Sequence, residues 1–161
     1  MTDEALNHLW KIPLEAVKQR VEAKPQEYCS RTELEEMLQD LYKAVKNKTY
    51  IPQNPTPDNP ALSDDYVFKT EDENTILMDL SEKNFVGKVK DLSKGAAKRK
   101  QQGLPQEYLY VFQYPCRLLK RETQIGEKVS EDILIYIKIN NRKIPYEKVF
   151  VVSFHKNRSV E

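Results

Sequence analysis

The chain has 161 residues, 39% hydrophobic and 32% charged, with a net charge of +1. That length suits one domain, or one domain with a helical appendage, and buries enough surface to need no staples. No apolar run approaches the ~20 residues of a membrane span, the acidic start MTDEALNHLWKIP lacks a signal peptide's apolar core, and two cysteines and two histidines at no ligand spacing exclude a zinc site.

In chain order, residues 3–23 read as helix, with Thr2 as cap, Leu6, Leu9 and Trp10 at helical spacing, and a break at Pro13. Ser30 then precedes RTELEEMLQDLYKAVKN with Glu33 three residues on, a capping-box pattern, and Leu34, Met37, Leu38, Leu41 and Val45 form one apolar stripe. Residues 51–65 carry four prolines and read as an arm or linker. Tyr66–Lys69 and Thr75–Leu80 read as short strands around a turn at 71–74. Residues 82–101 read as a helix interrupted at Gly87 and Gly95. Strands follow at 108–114, 117–123, 133–139 and 148–155. The last is apolar on both faces, which predicts a central position. Short connections predict antiparallel pairing.

Charge is unevenly spread. Residues 1–80 hold 9 Lys/Arg against 16 Asp/Glu, and residues 81–161 hold 17 against 9. A basic working surface is expected, with an acidic half that masks it or meets a protein partner. Lys88, Lys90, Lys94, Lys98, Arg99 and Lys100 are the candidate phosphate contacts, and a solvated helix face is the plain alternative. Tyr108, Tyr110, Phe112 and Tyr114 share one strand face, as a stacking platform or as core. The GxxxxGK[ST] phosphate loop is absent, and Cys116 lacks the local context of a nucleophile.

The C-terminal strand VFVVSFHKNRS carries the acid–base candidate. Strict alternation places Val149, Val151, Ser153 and His155 on one face and Phe150, Val152, Phe154 and Lys156 on the other. Metal-free RNA cleavage needs a group to take the 2′-OH proton, a group to protonate the leaving oxygen, and a cation for the phosphorane. His155, with Arg158 and Tyr146, supplies the candidate catalytic set. Lys156 and Arg142 add phosphate contacts, and Glu147 is a further acid–base candidate.

Residues 84–158 resemble the small nuclease superfamily that gathers barnase, EndoU, colicin and RelE-type toxins. The likeness rests on Asn84-Phe85, Leu104-Pro105, Tyr114-Pro115 and the closing pair ILIYIKI and KVFVVSFHKNR. It implies helices followed by a four-stranded antiparallel sheet, metal-free RNA cleavage, and His, Lys or Arg on the last strands. Lys88 and Lys90 stand where that family's helix carries a histidine.

The expectation is thus an α+β protein: a helical region at 1–50, a proline-rich arm at 51–65, and at 66–161 a mostly antiparallel four- to five-stranded sheet with a basic helix packed on it. It is expected to be cytoplasmic, to need no cofactor or metal, to have no membrane partner, and to engage RNA or another nucleic acid as a metal-independent ribonuclease of toxin or phage type. The alternative is a non-catalytic interaction module, such as an antitoxin, an inhibitor or a small subunit of a nucleoprotein complex.

Overall fold

Helix α1, Arg31–Lys46, starts where the sequence says it should: the Ser30 hydroxyl accepts the Glu33 N–H at 3.1 Å. Its stripe of Leu34, Met37, Leu38, Leu41, Ala44 and Val45 is buried, each large side chain contributing about 1.5–3 kcal/mol by leaving water. Lys48, at φ 57°, turns the chain away from the helix axis. The computed structural model describes residues 9–13, 27–57, 60–121, 126 and 128–156.

The sheet is built from β1 (Leu9–Lys11), β2 (Phe85–Lys90), β3 (Tyr108–Leu119), β4 (Ser130–Arg142) and β5 (Lys148–Lys156). The order is β1-β3-β4-β5, and β2 also pairs with β3, so the first two strands share one flank of the long third. Every pairing between these strands is antiparallel. The fold is α+β, as expected. No described helix is long and apolar enough to cross a membrane.

One face packs under α1 and α2 (Thr70–Asp79). It carries Phe112, Tyr114, Cys116 and Leu118 from β3, Ile133 to Ile139 at alternate positions of β4, and Val149, Val151 and Phe154 from β5. The aromatic stripe of β3 is therefore core rather than a stacking platform: Phe112 and Tyr114 are buried, and the Tyr110 and Tyr114 hydroxyls donate to Glu33 and Asp79, both at 2.7 Å.

Four local expectations are corrected. The described part of the 3–23 helix contains a strand, Leu9–Lys11; the rest lies outside the described residues. Residues 70–79 form a helix instead of a hairpin, because Asp72 accepts the Lys69 N–H at 2.8 Å and Ile76, Leu77 and Leu80 recur at helical spacing. Residues 82–101 split into a 3₁₀ turn, strand β2 and helix α3 (Lys94–Gln101). The split falls at Asp91, which accepts the Ser93 N–H at 3.0 Å, while Ser93 in turn caps α3 at Ala96. Strand β5 lies at the edge of the strand order, not in its centre.

The proline-rich segment explains why an edge strand is so apolar. Ile51 bridges to β5 in parallel, accepting the Val151 N–H at 2.8 Å and donating to the Val149 carbonyl at 2.9 Å. Gln53 accepts the Phe154 N–H through its side chain, and Leu62 is buried in the shared core. The outer flank of β5 is thereby covered by a stretch of chain that prolines keep out of regular structure.

Candidate functional site

The face of the sheet turned away from α1 and α2 is buried along its middle, where Val111, Leu134 and Tyr136 are at most 8% exposed, and it holds Gln113 and Ser153 as buried polar groups among them. Residues directly opposite on neighbouring strands project to the same side. Gln113 pairs with Tyr136, and Tyr136 pairs with His155, so the three form a row across β3, β4 and β5. Lys138 and Ser153 make the next pair along.

His155 reaches this face through a bulge. Ile139 is opposite Val151, while its neighbour Lys138 is opposite Ser153, so β5 has one residue more than β4 at that point. The extra residue is Val152, which is exposed. Strict alternation fails there. Val149 and Val151 stay in the core, Phe154 and Lys156 continue that face, and Ser153 and His155 turn to the other side. Cys116 lies on the core face, so it does not meet His155.

Within the row, the rings of Tyr136 and His155 have centroids 6.0 Å apart, and the Lys138 ammonium lies 5.3 Å from the Tyr136 ring centroid. His155 Nδ1 is 3.0 Å from the Lys156 carbonyl. A carbonyl only accepts, so Nδ1 is the donor in this contact. Gln113 is 5% exposed, and its Nε2 donor is buried without a hydrogen-bond partner. An unsatisfied buried amide is costly, on the order of 1–3 kcal/mol.

The expected catalytic set does not converge. Tyr146 is 61% exposed in the turn between β4 and β5, whereas His155 is near the far end of β5. Roughly 23 Å of strand separates Lys148 from His155 at ~3.3 Å per residue. Arg142 lies at the Lys148 end, and Arg158 is outside the described residues. Sequence reasoning missed Tyr136, Lys138 and Gln113. The signal was there: Leu134, Tyr136, Lys138 and Asn140 alternate with isoleucines at 133, 135, 137 and 139.

The expected phosphate contacts divide into two groups. The Lys88 ammonium, on β2, is 2.8 Å from Glu33 and 4.2 Å from the Tyr108 ring centroid. Burial opposes ionisation of Glu33, but Lys88 and Tyr110 outweigh it and hold its carboxyl below the usual range. Lys90 faces Glu27 at 3.9 Å. Lys156 binds Glu131 at 2.8 Å, which raises the ammonium above its ordinary value. Arg99 and Arg142 both bind Glu107, which also accepts Asn140 at 2.9 Å; Asn140 donates in turn to Asp91. Burial would raise Glu107, yet these donors hold it down to about 2. This knot ties α3 to β4. Lys94, Lys98 and Lys100 stand exposed on α3, and no carboxylate among the described residues pairs with them. Much of the charge asymmetry is thus cancelled inside the molecule, as Glu27, Glu33 and Asp40 of the acidic half meet Lys90, Lys88 and Lys143 of the basic one.

No group of three or more His, Cys, Asp or Glu among the described residues could hold a metal ion. No protein-family model, characterised protein or solved structure matches the chain.

Proposed function

We propose that the polar face of β3–β5 is a metal-independent RNA-cleaving site, with His155 and Tyr136 as its acid–base pair. The observation that carries this reading is the direct cross-strand pairing of those two side chains, 6.0 Å apart at their ring centroids and flanked by Lys138. In the proposed step His155 Nε2 takes the proton of the 2′-OH. The 2′-oxygen attacks phosphorus, the bond to the 5′-oxygen breaks, and the Tyr136 hydroxyl protonates that oxygen. The Lys138 ammonium and the Gln113 amide stabilise the charge on the phosphorane oxygens. The products are a 2′,3′-cyclic phosphate and a 5′-hydroxyl. Lys94, Lys98 and Lys100 supply phosphate contacts along the flanking strand. The likeness of residues 84–158 to the small nuclease superfamily points the same way.

The test is cleavage of a mixed RNA pool in the presence of a chelator. Wild type should yield cyclic-phosphate ends. His155→Ala should lower the rate about 10²–10⁴-fold, and Tyr136→Phe, which keeps the ring, should also impair it while both variants stay folded. A second reading, an interaction module, draws support from the ion pairs that occupy Lys88, Arg99, Arg142 and Lys156 and from exposed Leu92 and Tyr146. Wild-type protein that binds RNA without cutting it, or binds none, would put that reading first.

A further inference from the structure

On the opposite side of β5 a cavity of about 250 Å³ opens between the proline-rich segment and the start of α2. Its walls are mainly apolar and aromatic, from Tyr50, Pro52, Leu62, Phe68 and Phe154, with the last two rings 5.8 Å apart and with Gln53, Ser63 and Thr70 as polar members. One carboxylate, Glu73, lines it. The Tyr50 hydroxyl approaches a single Glu73 oxygen, Oε2, and Asn74 Oδ1 at 2.8 Å. The other oxygen, Oε1, has no hydrogen-bond partner among the described residues, and no Lys, Arg or His among them pairs with Glu73. Lys69 is exposed at the cavity wall and makes no ion pair with it.

A half-buried carboxylate without a counter-ion is an electrostatic deficit. Burial raises the Glu73 carboxyl above the usual range, with the Tyr50 contact opposing it. Aromatic faces and one carboxylate around a small apolar space are complementary to one kind of ligand. A cation gains from the ring quadrupoles and from the carboxylate together, while its apolar stem fills the walls.

We propose that this cavity binds a small organic cation, an alkylammonium or alkylguanidinium head on an apolar stem, with Glu73 as its counter-ion. This goes beyond the RNA-cleaving reading and does not depend on it. The ligand would touch Phe154, whose neighbour His155 faces the other side of the same strand.

The full-length protein would be titrated with benzylammonium and n-butylguanidinium by calorimetry and two-dimensional NMR, against benzyl alcohol as the neutral analogue. Benzylammonium should bind at least about tenfold tighter than the alcohol, with shifts at Tyr50, Phe68 and Phe154. Glu73→Gln should abolish that preference. Lys69→Met, which removes the like charge at the wall, should strengthen cation binding. Equal binding of ammonium and alcohol, no binding of either cation at millimolar concentration, or unchanged affinity in Glu73→Gln would overturn the proposal. Should Glu73→Gln fail to fold, the ammonium–alcohol comparison on wild type and the sign of the Lys69→Met effect still decide it. Cleavage assays are not part of this test, so its failure is separate from failure of the nuclease reading.

Discussion

Replacing Glu107 by Gln would show how firmly the basic helix is tied to the sheet. The carboxylate receives Arg99, Arg142 and Asn140, and the two arginine side chains are 23% and 12% exposed. Its pKa of about 2, against an ordinary 4.5, corresponds to at most about 3.5 kcal/mol at ~1.4 kcal/mol per decade. Contact with solvent reduces that to about 2 kcal/mol. A fully buried pair stripped of one partner loses ~3–5 kcal/mol; here the guanidinium groups can turn partly to water, so about 2–3 is expected. At ~2–4 °C per kcal/mol for a chain of this size, Tm should fall by roughly 4–12 °C. The pH dependence has a fixed sign. A carboxyl whose folded pKa is depressed stabilises fully above its unfolded value and loses that contribution as pH falls through the folded one. The stability gap between wild type and Glu107→Gln, measured by urea unfolding, should therefore shrink from pH 4.5 downward, losing more than half its pH 7 size by about pH 3. A gap below ~0.5 kcal/mol at pH 7, or one unchanged between pH 7 and pH 3, would refute the reasoning.

Two further outcomes follow from local contacts. Ser30→Ala removes the α1 cap and should cost about 1 kcal/mol in urea unfolding, with Ser30→Asp restoring most of it. Burial pushes the Cys29 thiol up to about 11 and Cys116 up to about 12; both should alkylate on the order of 100-fold more slowly at pH 8 in the native protein than in urea, and equal rates would contradict the burial.

The α+β class, helix α1 and strands β3 to β5 were legible because each repeats one period over many residues. Ser30 and the Leu34–Val45 stripe leave no competing reading. Residues 70–90 were not legible. Thr75 to Leu80 is short and apolar, and the helix there is set by one side-chain bond from Asp72 and by burial against α1, which a single-strand pattern does not reveal. Phe85, Val86 and Val89 carry strand propensity, but Lys88 and Lys90 read as a helix face until Tyr108–Phe112 is paired alongside. His155 was found for its chemistry and placed on the wrong face, because a bulge is a property of two strands together. Tyr136 went unread because the isoleucines of β4 drew the pattern to the odd positions.

That bulge makes the arrangement of β5 a matter of phase. Val152 is exposed and stands opposite no residue of β4, yet its presence outside the ladder shifts which residues are core on either side of it. Up to Val151 the odd-numbered residues are core; beyond it the even-numbered ones are. Position 152 is therefore permissive to exchange and, by the pairing, to loss: without it Ser153 and His155 would still stand opposite Lys138 and Tyr136 in a regular strand. Drawing Val152 into the ladder opposite Lys138 would instead carry His155 under the helices and turn Phe154 out beside Tyr136. The chemistry of this face rests less on the identity of one valine than on its staying outside the pairing.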